Sequence, residues 1–467
     1  MADRIQIDPA DIGQYFDDET LRDWVQLQRW YGSKSRTLSA VEIFEGVTLR
    51  GHPPLFLALV QTRFATGTHD IYQLPLAFRP AYELVGATAI ARTAEWAVYD
   101  ALAEPHDALE LVWRIDRSEE IETDDGRFSF YHADGASALS ERAHARVLNV
   151  EQSNSSVVFD DRLVLKVFRK LEPGINPELE LLRFLTHRGF PSIAPLHGWY
   201  EYEGQALAST LGVAQQFLLD ARDGWDMALD QIETEPDKLL DRLAMLGTVT
   251  AQLHTVLASD PSDPAFSPEE PSQEALSLLT ATVDEDIERI FVRLPDDERV
   301  APIAGRGEEV RERLALRAQI GVGGREIRTH GDFHLGQTLY APRGWVIIDF
   351  EGEPARSLPE RRQKRSPLRD VAGMLRSFAY VTSAAGILRG GRPPVDFEQR
   401  AREIFLGRYF TTVDSTLLPA GEAAVMSLLS IYELEKAIYE LRYELDNRPD
   451  WVSIPVAGIR RLLEESA

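Results

Sequence analysis

Apolar positions change their spacing along this chain, and each change predicts a different kind of structure. Asp18–Arg29 reads as a helix and is followed by a polar turn through Lys34 and Arg36. Apolar runs then alternate with turns at Val41–Leu49, Leu55–Phe64 and Asp70–Phe78. That pattern predicts a small antiparallel sheet with one helix laid on it. Residues 96–150 read as a connector with further strands, broken by acidic turns such as Glu122–Gly126. Val157–Phe159 and Leu163–Phe168 are the arms of a predicted hairpin turning at Asp160, Asp161 and Arg162. A helix is expected from Asn176 to Leu185: Asn176 suits the N-cap, Pro177 the first helical position, and acids fill the first turn.

Two more strand-like runs follow, Ala206–Leu211 and Val213–Leu219. From there the period is almost wholly helical: Asp237–Leu257, Glu274–Arg293, Glu308–Ile320, Val371–Ile387, Phe397–Val413 and Ala420–Arg442. The proline-rich segment Ser259–Gln273 reads as an exposed insertion. Sheets first and helices afterwards predict an α+β chain. We divide it at 1–92, 93–218 and 219–467.

Composition narrows the chemistry. With 467 residues, 44% hydrophobic and 27% charged, the chain is an ordinary globular one of two or three packed units. It has no cysteine, so disulfides, thiolate metal sites and cysteine nucleophiles are excluded, and a cytoplasmic location is expected. The first residues carry acids and no long apolar run, so neither a signal peptide nor a membrane partner is expected. The formal charge of −25 makes nucleic acid a poor partner.

The candidate chemistry lies in Arg328–Asp370, which contains THGDFHLGQ and IDFEGEP. Asp332 is placed to accept a proton from an attacking hydroxyl. Gln337 offers a neutral oxygen, and Asp349, at the end of an apolar strand, an anionic one; both suit Mg²⁺, with Glu351 as a further ligand. His330 is expected to order the loop by hydrogen bonding. His330 and His334 are four apart, but HGDFH lacks the helix and glutamate of a zinc hydrolase. Six cations, Arg356, Arg361, Arg362, Lys364, Arg365 and Arg369, follow in a short segment and are candidates for offsetting phosphate charge. Far upstream, the small polar turn Gln152, Ser153, Asn154, Ser155 and Ser156 can lie over the phosphates of ATP, with Lys166 reaching them from the return strand. Glu178 and Glu180 are candidates to hold that lysine, and Glu180 is preferred. Val213–Leu219, with Gln216, suits a connection whose backbone meets a purine.

These motifs resemble the aminoglycoside phosphotransferase-like kinase superfamily. QRWYGSKSR, EQSNSSVVF, LEPGINPELE, ARDGWD, SPLRDVAGMLRSF and YELRYELDNRPDW are similar to stretches of the bacterial maltokinases, which make maltose 1-phosphate from maltose and ATP. The turn reads QSNSS where that family suggests QSNTS, which keeps the hydroxyl. The resemblance implies a two-lobed, protein-kinase-like fold with an N-terminal cap and a mostly helical C-terminal lobe. It implies Asp332 as base, Gln337 and Asp349 as Mg²⁺ ligands, and Lys166 with Glu180 at the phosphates. It also implies a place in the route from trehalose to glycogen, with a trehalose synthase as a possible partner. A sugar pocket is expected near Asp370, Arg376, Glu440, Tyr443, Glu444 and Trp451, where aromatic rings pack on sugar faces and carboxylates bind hydroxyls. Glucosamine or an aminoglycoside is the competing substrate; an amine would need acids around its nitrogen, and Glu353 in the EGEP segment is a candidate.

Overall fold

A computed structural model describes residues 15–82, 89–148, 153–320 and 323–464. Two compact units emerge. The first comprises residues up to Arg183 together with Ala194–Leu219; the second comprises Phe184–Ile193 and everything from Asp220.

The first unit opens with α1 (Asp18–Leu27), capped by Asp17, whose carboxylate accepts from the Thr20 N–H at 2.8 Å. A meander follows: β1 (Leu38–Gly51), β2 (Pro54–Phe64) and β3 (His69–Pro80), then β4 (Ala91–Arg92) and β5 (Trp96–Asp100), in the order β1-β2-β3-β5-β4. Leu21 and Val25 of α1 share a core with Val41, Phe56, Val60, Tyr72 and Phe78, so the expected helix lies on the expected sheet. After α2 (Leu109–Arg117) a second antiparallel sheet forms from β6 (Glu120–Glu122), β7 (Gly126–His132), β8 (Ala145–Leu148), β9 (Ser155–Phe159) and β10 (Leu163–Val167). The short β11 (Lys170–Leu171) returns to pair with β3 of the first sheet. Then come α3 (Pro177–His187), β12 (Leu196–Gly204) and β13 (Ala208–Gln216), giving the second sheet the order β6-β7-β12-β13-β10-β9-β8. The two sheets are stitched at Gln73, whose amide donates to the Phe168 carbonyl at 2.7 Å.

One sequence expectation changes here. The runs on either side of Gly212 are a single strand, β13. Gly212 sits inside it because a Cβ there would come within 2.5 Å of the Tyr200 ring.

The second unit starts with β14 (Arg222–Asp223), α4 (Gly224–Thr234) and α5 (Pro236–Leu257). Next come α6 (Gln273–Phe291) and α7 (Gly307–Arg317), then the hairpin of β15 (Thr338–Ala341) and β16 (Gly344–Ile347). The chain finishes with α8 (Leu358–Arg361), α9 (Leu368–Arg389), α10 (Phe397–Thr412), α11 (Glu422–Asn447) and α12 (Ser453–Glu464). Helix α9 is the one described helix long and apolar enough to cross a membrane, but most of it is buried within the unit, where it packs on α4, α10, α11 and α12. The proline-rich segment is largely exposed, as expected, but it is anchored. Phe266 is buried and stacked on Phe184 at 3.8 Å, and Glu269 bridges to Glu326, so apolar contact and backbone pairing hold it down.

Both units together are a protein-kinase-like fold, with sheets first and a helical C-terminal portion.

Candidate active site

The first unit presents the expected hairpin. β9 and β10 pair with Lys166 opposite Ser156 and Leu163 opposite Phe159. Asp160 and Asp161 both adopt left-handed backbone at the turn, a conformation that short polar side chains tolerate. Lys166 Nζ lies 2.8 Å from Glu178 Oε2, and Gln215 Nε2 donates to the other oxygen at 3.2 Å. The expected partner, Glu180, is therefore corrected to Glu178. Two positions along a helix turn the side chain about 200°, so only one of the pair can face the sheet; Glu178 is buried and Glu180 half-buried. Asn176 fixes the helix start, accepting the Glu178 N–H at 2.8 Å.

Other predicted phosphate contacts fall in varied settings. Ser153 is exposed, Asn154 half-buried, and Ser156 buried inside β9. Ser155 Oγ accepts from Arg169 Nε at 2.8 Å. Gln152 lies outside the described residues. Gln216 is exposed at the end of β13, its N–H bonded to the Pro195 carbonyl at 3.0 Å.

In the second unit, one helix holds the acidic loop. Asp370 on α9 accepts the His330 N–H at 2.8 Å and the Gly331 N–H at 3.0 Å. Three residues on, Gly373 lets the Phe333 carbonyl come so close that a Cβ would lie 2.6 Å from it. Four further, Ser377 Oγ accepts the Leu335 N–H at 3.0 Å. Residues at this spacing share one helix face, so α9 tethers the loop at three successive points. His330 does order the loop: its Nε2 bonds the Ile348 carbonyl at 3.0 Å, while its Nδ1 faces the Asp332 N–H at 3.4 Å. Behind Asp370, His254 Nε2 lies 3.2 Å from the carboxylate and His254 Nδ1 2.9 Å from the Tyr409 hydroxyl. Burial alone would raise the Asp370 carboxyl, but His254, His330 and the Gly331 N–H together hold it below the usual carboxylate value.

Asp332 projects from this loop toward a lysine that sequence reasoning missed. Lys436 Nζ on α11 is 3.1 Å from Asp332 Oδ1. Burial works to raise the Asp332 carboxyl, yet Lys436 and the two histidines pull it below its ordinary value, so it is ionised at neutral pH. Burial pushes the His334 imidazole down, and it accepts the Gly336 N–H at 3.1 Å through Nδ1.

Gln337 ends the short turn before β15, and its carbonyl accepts the Ile348 N–H at 3.1 Å, which ties it to the end of β16. Asp349 has left-handed backbone, φ 61°. Carboxylate oxygens of Asp349 and Glu351 lie within 4.8 Å of each other. The two carboxylates are hard oxygen donors, which fit Mg²⁺ better than a soft metal.

A cavity of about 460 Å³ opens beside Asp332, within the range of small-molecule sites. Asp332, Glu353, Glu440 and Glu444 line it together with Lys436 and Arg448, and Trp225, Tyr380, Tyr439, Tyr443 and Trp451 supply rings. Four of the predicted sugar residues, Glu440, Tyr443, Glu444 and Trp451, are therefore brought together. Two are placed differently. Asp370 spends its carboxylate on the loop, and Arg376 is 1% exposed behind the wall, bonded to Glu440 at 2.8 Å. Tyr439 and Lys436 had a usable signal: with Glu440, Tyr443 and Glu444 they form one α11 stripe at helical spacing.

The acids of this cavity are all matched. Asp332 faces Lys436 at 3.1 Å, Glu440 faces Arg376 at 2.8 Å, and Glu444 faces Arg448 at 2.6 Å. Glu353 and its neighbour Glu435 share Arg356 and Arg369 at 2.9 to 3.6 Å. Of the six clustered cations, Arg356 and Arg369 thus neutralise pocket acids, and Lys364 bonds Glu269 and the Pro264 carbonyl.

Comparison with known proteins agrees with this architecture. The family model for the maltokinase N-terminal cap domain matches residues 24–104, and that for the phosphotransferase enzyme family matches residues 144–353. The chain is 28% identical over 338 residues to a glucosamine kinase of Streptacidiphilus jiangxiensis, covering 68% of this chain and 74% of that protein. It is 29% identical over 337 residues to a glucosamine kinase of Mycolicibacterium smegmatis, covering 68% and 80%. Among solved structures, a glucosamine kinase in complex with glucosamine, ADP and inorganic phosphate matches with TM-score 0.70 at 21% identity, over 94% of this chain and 96% of that one. A second crystal form of glucosamine kinase matches with TM-score 0.72 at 21% identity, over 94% and 97%. Residues 24–104 thus match a maltokinase N-terminal cap domain and residues 144–353 a phosphotransferase enzyme family domain, and the chain as a whole has a kinase-like fold.

Proposed function

We propose that this phosphotransferase uses ATP to convert maltose to maltose 1-phosphate. The observation that carries the choice of sugar is the charge balance of the cavity. Each of its carboxylates already faces a lysine or arginine, and Lys436 sits beside the base. An ammonium substrate needs an acid with charge to spare, and here it would meet a neighbouring cation instead. A neutral sugar needs hydrogen-bond acceptors and aromatic faces, and Tyr380, Tyr439, Tyr443 and Trp451 supply the faces. A volume of 460 Å³ equals roughly fifteen waters, which suits two hexose rings better than one.

On this reading Asp332 accepts the proton of the sugar hydroxyl. The hydroxyl oxygen bonds to the γ-phosphorus of ATP as the bond from that phosphorus to the β,γ-bridging oxygen breaks, leaving ADP. Lys166, held by Glu178, binds donor phosphates. Gln337, Asp349 and Glu351 would hold Mg²⁺, which neutralises phosphate charge when bound. The product would be a maltosyl donor for α-glucan synthesis from trehalose, with a trehalose synthase as the partner to seek by native mass measurement.

Glucosamine is the second reading, favoured by the names of the 28% and 29% identical relatives. Initial rates with ATP and either maltose or glucosamine distinguish the two. Maltose 1-phosphate, identified by ³¹P NMR, is the expected product. Efficient glucosamine phosphorylation with no turnover of maltose would show the charge-balance inference to be wrong.

A further inference from the structure

The first unit contains a cluster that the phosphotransfer reading does not use. Asp116 near the end of α2, His132 at the end of β7 and His197 in β12 converge, with one ligand atom from each lying within 4.8 Å of the others. His197 Nε2 is 2.7 Å and His132 Nε2 3.7 Å from the same Asp116 oxygen. The imidazoles meet edge to face with centroids 5.1 Å apart.

Local structure builds this convergence. β12 has a register irregularity against β13 between Leu196 and Gly198, and His197 is the residue inside it. Such bulges re-aim a side chain. Gly198, directly opposite His132, leaves room for Ile115, which brings the neighbouring Asp116 down onto the sheet. The second Asp116 oxygen accepts the Leu139 N–H at 2.8 Å, so the carboxylate is oriented from behind, as metal-ligating carboxylates are. His132 Nε2 is shielded from solvent and has no hydrogen-bond partner among the described residues. A buried nitrogen with an unused lone pair or proton is costly, and a metal ion would satisfy it.

From this geometry we infer that Asp116, His132 and His197 form a binding site for a divalent transition metal of the zinc class. Ligand bonds of 2.0–2.2 Å in a tetrahedron set neighbouring ligand atoms about 3.4 Å apart. The two distances here, 2.7 and 3.7 Å, straddle that value, so entry of the ion requires His197 to withdraw by about 0.7 Å and His132 to approach by about 0.3 Å. Two imidazoles and a carboxylate suit zinc, whereas Mg²⁺ prefers oxygen alone. A water would complete four-coordination. The ion would pin the end of α2 to β7 and β12 and so stabilise the first unit.

The test uses the full chain in buffer without nucleotide or Mg²⁺. Equilibrium dialysis against micromolar Zn²⁺, with metal counted by mass spectrometry, is expected to give one equivalent for the wild type. His132→Gln and His197→Gln, which keep side-chain bulk and polarity, are expected to lose that equivalent while retaining the wild-type circular dichroism spectrum. Co²⁺ should produce visible ligand-field absorption in the wild type only, and Zn²⁺ should raise the wild-type Tm but not that of either variant. A wild type that takes up no Zn²⁺, or folded variants that keep the full equivalent and the Co²⁺ spectrum, overturns the assignment.

Discussion

Lys436 Nζ and Asp332 Oδ1 lie 3.1 Å apart across 104 residues of sequence. The pair keeps the proposed base ionised in a setting whose burial opposes ionisation. Lys436→Met removes the largest of the influences that lower the Asp332 pKa. The carboxyl must then lose its proton at a higher pH, so the acid limb of kcat/KM moves upward. We expect roughly a 10–100-fold loss in kcat/KM, about 1.4–2.7 kcal/mol. A variant whose pH profile overlays the wild type would remove Lys436 from any role at the base.

Asp332→Asn leaves the shape of the loop and removes the proton acceptor. Turnover should fall by at least about 10²-fold, the usual contribution of general base catalysis, while nucleotide affinity by fluorescence titration stays unchanged. Near wild-type turnover would place the base elsewhere.

Removing Arg448 uncovers Glu444 at the cavity wall, since the two are 2.6 Å apart. Arg448→Gln should therefore lower KM for glucosamine relative to maltose, by roughly threefold to tenfold for a partly exposed pair. Unaltered selectivity in competition assays would mean that pocket charge does not choose the sugar.

Asp370 is a matter of stability as much as activity. Its carboxylate is buried and accepts two loop N–H groups, so Asp370→Ala should cost about 3–5 kcal/mol, read as a lower Tm. Because its folded pKa lies below 3.8, its contribution is complete above the unfolded value and is lost as pH falls below it toward the folded value. The wild type should therefore lose more stability than Asp370→Ala between about pH 4 and pH 2.

A single methyl group tests the α9 contact. Gly373→Ala brings a Cβ to 2.6 Å from the Phe333 carbonyl, against backbone that cannot simply rotate away. kcat should drop more than tenfold, on the order of the loss seen when catalytic groups shift by about 1 Å, while KM for ATP changes little. A fully active variant would show that the loop tolerates displacement.

Most of the fold could be read because its elements are long and strongly periodic. The helix over Asp18–Leu27 and the three long strands after it each carry their pattern within one window. Asp332, Gln337 and Asp349 could be named as candidates for the same reason: they sit in one short loop-strand-loop segment. What escaped were pairings between distant segments. Nothing local to Asp332 announces Lys436, and nothing near Glu444 says that Tyr380 donates to it at 2.9 Å. The choice of Glu180 over Glu178 failed because a sequence does not show which helix face meets the sheet. Asp370 and Arg376 were expected at the sugar because polar side chains can bind hydroxyls; in this unit both are buried, Asp370 bonded to the loop and Arg376 to Glu440.

The stripe Asp370, Gly373, Ser377 on α9 continues to Tyr380, which stacks on Trp451 and bonds Glu444. One helix thus grips the Asp332 loop at one end and the wall of the proposed acceptor cavity at the other. The distance between the proposed base and its acceptor would be set by a helix rather than by loops. New acceptors could then arise by recutting the cavity-lining rings of α11, Tyr439 and Tyr443, while the chemistry keeps its place. A family built this way would diversify in what it phosphorylates far more readily than in how.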